Sequence, residues 1–152
     1  LIRMLINTVS LGGNLIMNVG PTARGYIDYR ADNALKAYEE WMKYNSRSIY
    51  GCTMAEKEFV PLNGYKYTQS QDGKRLYVHL FEYPFRYLEL PGLAGKIEYA
   101  QFLHDGSEII FTDNEVTSLA DSYEKDLSGT TILEIPVIKP NVIVPVIELF
   151  LK

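Results

Sequence analysis

The run Gly12-Gly13-Asn14-Leu15-Ile16-Met17-Asn18-Val19-Gly20-Pro21 limits what this chain can fold into more than any other stretch. Leu15 to Val19 is almost unbroken apolar sequence ended by a Gly-Pro breaker, the pattern of a parallel strand buried on both faces. Such a strand cannot bury itself, and no second one follows. Everything after about residue 55 reads instead as antiparallel β structure. The chain therefore reads as the tail of an α/β protein joined to an all-β unit. Any chemistry is expected to have been built mostly upstream of Leu1.

The elements around that run support the division. Leu1, Leu5 and Val9, with Ile2 and Ile6 beside them, have the spacing of the last turns of an amphipathic helix, which Gly12-Gly13 stops. Asp28 is placed to cap a second helix from Tyr29 to about Asn45, in which Ala34, Leu35, Tyr38, Trp41 and Met42 recur three and four apart. A short helical turn through Ile49-Tyr50 should close at Gly51. Strands are expected over 65–70, 75–83, 86–90, 96–103, 108–112, 130–135 and 141–151. Asp72-Gly73 should form a two-residue hairpin turn, and Pro145 should mark a bulge or an edge. The segment 113–129 reads as a loop.

Composition removes several functions. The net charge of −4 leaves no basic stripe to neutralise phosphates, so nucleic acid is not an expected partner. No apolar run is long enough to span a bilayer. Cys52 is the one cysteine, so an internal disulfide is excluded. His79 and His104 lack metal-ligand spacing and read as strand-surface residues. No nucleophile motif surrounds a serine, and no histidine lies near Cys52.

Asn14 and Asn18, four apart on one strand face, are candidates to support a loop or a neighbouring site, because a buried amide needs partners. Glu82, Glu89, Asp105, Glu108, Asp113 and Glu115 form no recognisable catalytic pair. Tyr65, Tyr67, Tyr77, Phe81, Tyr83, Phe85 and Tyr87 could stack on sugars, but aromatics populate strands in any case.

Taken together, the Gly12-to-Pro21 run, Gly25-Tyr26-Ile27, Trp41 with Asn45, and Ile49-Tyr50-Gly51 resemble the end of the catalytic barrel in α-L-fucosidases of glycoside hydrolase family 29. Leu76-Tyr77-Val78-His79-Leu80-Phe81 with Pro84, and Leu88-Glu89-Leu90-Pro91-Gly92-Leu93, resemble two further motifs of that family. Tyr83 stands where the family usually has Trp, and Ser46 where it has Gly. The resemblance implies a retaining exo-hydrolase of terminal α-L-fucose, with an Asp nucleophile, usually a Glu acid/base, and no metal or organic cofactor. Both carboxylates belong to earlier parts of the barrel, so no residue here inherits either role.

The expected architecture is mainly β. Residues 1–54 are a (β/α)8 barrel remnant and residues 55–152 an antiparallel β-sandwich. Tyr38, Trp41, Met42 and Ile49 are expected to pack the last barrel helix on the sandwich. A fucosylated glycan would be met through the missing barrel. The unpaired strand is expected to find another chain or a swapped copy. Two alternatives stand beside this: a carbohydrate-binding module without chemistry, and the accessory sandwich of another barrel glycosidase. Extracellular, periplasmic and lysosomal settings all suit the family.

Overall fold

A computed structural model describes residues 1–114 and 127–152. The sequence writes its helices clearly. Helix α1 (Ile2–Ser10) buries Ile2, Leu5, Ile6 and Val9 along one stripe. It ends in a Schellman motif, in which Gly12 N–H bonds Val9 O at 2.9 Å and Gly13 N–H bonds Thr8 O at 2.9 Å. Gly12 adopts φ 78°, a conformation a side chain would oppose. Helix α2 (Tyr29–Asn45) starts at Asp28, whose carboxylate accepts the Arg30 N–H. A 3₁₀ turn, Ser46–Ser48, follows it.

Eight strands come next: β1 (Cys52–Met54), β2 (Tyr65–Ser70), β3 (Arg75–Leu80), β4 (Tyr87–Pro91), β5 (Ile97–Phe102), β6 (Ile110–Asn114), β7 (Thr130–Glu134) and β8 (Val146–Leu151). They form two antiparallel sheets, one in the order β1-β2-β3-β8-β5 and one in the order β4-β7-β6. The sheets enclose an apolar core that includes Leu76, Val78, Leu80, Leu88, Leu90, Ile97, Phe102, Leu133, Ile147 and Leu149. The other face of the larger sheet is covered too. There α1, α2 and the chain before β8 build a second core from Ile2, Leu5, Ile6, Val9, Trp41, Ile49, Tyr77, Leu103, Val144 and Val146.

Several local expectations are corrected. Residues 14–19 do not form a strand: the segment is extended, and no described residue pairs with its backbone. The bridge Pro21–Ile27 closes the loop behind it, with Thr22 N–H bonded to Tyr26 O at 2.7 Å and Gly25 N–H to Thr22 O at 2.9 Å. A strand is defined by its neighbours, and the described residues supply none here. Asp72-Gly73 is not a two-residue turn; the connection is 71–74, with Asp72 accepting from the Ser70 hydroxyl and the Lys74 N–H. Pro145 lies outside β8, its carbonyl taking the Leu80 N–H, and β8 runs centrally between β3 and β5. The short strand β1 went unforeseen, because three residues carry no readable alternation. Most of the expected 113–129 loop, Glu115 included, lies outside the described residues, and Asp113 and Asn114 belong to β6.

Candidate functional site

Three places carry the residues that the sequence singles out. The first is the extended segment. Asn14 and Asn18 are both exposed there and meet no hydrogen-bond partner among the described residues. Leu15 leans on the second core, while Ile16 is 88% exposed. Burial alternates along residues 15–19, as a strand's would, although the pairing is missing.

The second place is the seam between the helices and the larger sheet. Trp41 is buried, and its indole N–H donates to Val144 O at 3.0 Å. Ile49 is buried beside it, and Tyr38 and Met42 pack against the same cluster. Tyr77, Leu103, Val144 and Val146 belong to the same cluster.

The seam also holds polar groups that sequence reasoning missed. Glu148 on β8 is buried and accepts from Arg47 at 3.0 Å, Gln101 at 2.7 Å and the Tyr77 hydroxyl at 3.2 Å. The burial of Tyr77, with Glu148 beside it, raises the pKa of that phenol. A carboxylate in a strand of Val, Ile, Leu and Phe was the available signal: a charge in a central strand needs partners. Cys52 beneath it donates to Arg47 O, and burial, with Asp72 and Glu148 nearby, pushes its thiol up to about 11.

His79 is not a strand-surface residue. It is fully buried in β3, because the helices cover the face that alternation assigned to solvent. His104 is not on a strand either; it follows β5, is half-buried, and lies 3.4 Å from Asp105.

The third place is an open cleft of about 880 Å³ between α2 and residues 139–143, lined by Glu40, Trp41, Tyr44, Asn45, His104 and Lys139 among others. Glu40 is its one carboxylate, so it lacks the facing pair that glycoside hydrolysis requires. A smaller hollow of about 280 Å³ has Glu56 and Glu58 on its wall. These carboxylates are already engaged by Gln69 and Lys96. The aromatic set is turned mostly inward: Tyr67, with Tyr65 and Tyr83, serves the sandwich core, and Tyr77 with Phe81 serves the seam. Phe85 and Tyr87 are exposed.

The α-L-fucosidase family model matches residues 1–47, which span α1, the extended segment and α2. The plasma α-L-fucosidase of Rattus norvegicus is 29% identical over 124 residues, covering 78% of this chain and 27% of that protein. The human plasma enzyme is 44% identical over 50 residues, 33% of this chain and 11% of its own length. Among solved structures, α-L-fucosidase isoenzyme 1 from Paenibacillus thiaminolyticus superposes with a TM-score of 0.84 and 32% identity, covering 99% of this chain and 34% of that one.

The chain is similar to part of the α-L-fucosidases of glycoside hydrolase family 29.

A family 29 α-L-fucosidase from Bacteroides thetaiotaomicron shares the fold at a TM-score of 0.80 and 24% identity. The chain spans about a third of the length of the solved proteins it matches and 27% of the rat relative. The antiparallel sandwich is the fold class that the sequence led us to expect.

Proposed function

We propose that this chain supplies the last helical and strand elements of the catalytic barrel, about residues 1–54, and the sandwich, about residues 55–152, of a retaining α-L-fucosidase. The longer protein hydrolyses terminal α-L-fucose from glycoconjugates, and the present residues act as scaffold rather than as acid, base or nucleophile.

One observation carries the reading. Residues 14–20 lie extended between two helices, with half-buried side chains at every other position (Leu15, Met17, Val19) and no backbone partner on either edge among the described residues. Backbone groups in that state need pairing wherever water is excluded. Parallel strands of a barrel would provide it on both edges at once. Asn14 and Asn18 would then sit on one face of the completed strand, as loop or site support. The helix–sheet seam through Trp41 would fix the barrel's last helix to the sandwich.

The test is hydrolysis of 4-nitrophenyl α-L-fucoside. The purified chain is expected to release no nitrophenol above buffer, and the longer protein that contains it is expected to turn the substrate over. Turnover by the chain alone, free of longer species by mass spectrometry, would overturn the scaffold role. A longer protein inert on α-L-fucosides would overturn the parent activity.

A further inference from the structure

We propose that the seam between α2 and the larger sheet is an acid-sensitive joint, held shut by neutral His79, and that acid releases the helices while the sandwich stays folded. This stands apart from the fucosidase reading and would hold if that reading failed.

The geometry fixes which nitrogen carries the proton. His79 Nε2 lies 2.9 Å from Thr68 Oγ1. The Thr68 hydroxyl has one proton, and it donates that proton to Ser48 O at 2.7 Å. Thr68 must therefore accept from His79, so Nε2 bears the hydrogen and Nδ1 is bare. Nδ1 is buried and has no partner among the described residues. A second proton would have to enter there, on a ring with no exposed surface.

Burial is what opposes that charge. In the sheet, His79 is in register with Lys66 on β2 and Val146 on β8, and paired residues share a face. Arg75 and Tyr77 on β3 point the same way. From α1, Arg3 donates to Phe81 O and lies over the Phe81 ring. Beyond β5, His104 borders the same region, and Cys52 comes from β1. Helix α2 brings the Trp41 ring, 6.5 Å away by centroids, with Tyr38 and Asn45, and the charges nearest Trp41 on that side are Glu40 and Lys139 in the open cleft. The buried carboxylate on this face, Glu148, is already engaged by Arg47, Gln101 and Tyr77, with Arg75 at 3.9 Å. Burial accordingly holds the imidazole down to about 3, against an ordinary 6.5. Asn45 Oδ1 is a second buried acceptor without a partner in the same seam.

The sign follows from linkage. Above about pH 6.5 the ring is neutral whether the chain is folded or not. Below it the opened chain takes up a proton that the closed one refuses, so closure weakens as pH falls toward the folded value. Among the described residues, the buried imidazole and the buried carboxylate, His79 and Glu148, both lie on the helix-covered face of the larger sheet and not between the sheets.

Trp41 is the single tryptophan of the chain, so its emission reports on this seam alone. In an acid titration the wild-type chain is expected to show red-shifted emission and loss of helical far-UV ellipticity while slow amide exchange persists in β3, β7 and β8. His79→Gln keeps a donor toward Thr68 but cannot titrate. It is expected to move the emission change to lower pH by about one unit or more. An unchanged midpoint in the variant would overturn the proposal, as would simultaneous loss of helix and sandwich. If the variant does not fold, the ring carbon resonances of wild-type His79 decide. They should stay at neutral values until the emission shifts, and titration near 6.5 with Trp41 undisturbed contradicts the joint.

Discussion

The two cores of this chain differ in how completely they are closed. Between the sheets, Leu76, Val78, Leu80, Leu88, Leu90, Leu133, Ile147 and Leu149 are each 2% exposed or less, and both walls come from described strands. Beneath the helices, the core is bounded on one side by the larger sheet and on the other by α1, α2 and an unpaired extended segment. It also contains His79 Nδ1 and Asn45 Oδ1 without partners, and the buried Glu148 with its cationic and amide neighbours. An apolar core needs only shape and area, whereas a polar one needs every partner present. The first kind is complete within this sequence. The second is complete only in part.

The comparison can be broken by mutation. The largest effect is expected from Trp41→Ala, which removes both a packed ring and the hydrogen bond to Val144 O. It should cost about 3–5 kcal/mol, with helical ellipticity lost before the β signal. A single transition that takes both together would show that the cores are one cooperative unit. Leu133→Ala in the smaller sheet should cost about 2–5 kcal/mol. In denaturant melts followed by Trp41 emission and by far-UV ellipticity, it should bring the whole chain down, because the seam has no sheet to rest on without the sandwich. The smallest effect should come from Asp28→Ala, which removes the cap on the Arg30 N–H. The ion pair with the Arg30 side chain, and then that backbone bond, hold the Asp28 carboxyl below the usual range. The cap's contribution is therefore present near neutrality and lost as pH falls through the lowered value. The variant should show frayed α2 amides at pH 7 and converge with wild type in acid. Equal exchange rates at pH 7 would remove the cap from the account.

How far the sequence was readable follows the same division. The helices, and the strands whose alternation faces one core, were legible because spacing alone determines burial. Leu76, Val78 and Leu80 announced their side of β3 in this way. His79 was misread because alternation tells which residues share a face, not whether a second layer covers it. Glu148 was missed because a lone carboxylate in a strand shows its partners only when Arg47 and Gln101 arrive from 101 and 47 positions away. Asn14 to Val19 was read as a strand from composition, and composition says nothing about neighbours. Tyr38, Trp41 and Met42 recur three and four apart on α2, a spacing that puts them on one face whatever that face meets; Ile49 lies beyond the 3₁₀ turn, outside that stripe.

Native-state amide hydrogen exchange on the monomeric chain tests the central claim most directly. Amides of residues 14–20 should exchange at rates near those of an unstructured peptide, while those of β3, β7 and β8 exchange only through global opening. Strong protection of 14–20 in the monomer would mean that the segment already has its partners, and the reading of an incomplete barrel stave would be wrong.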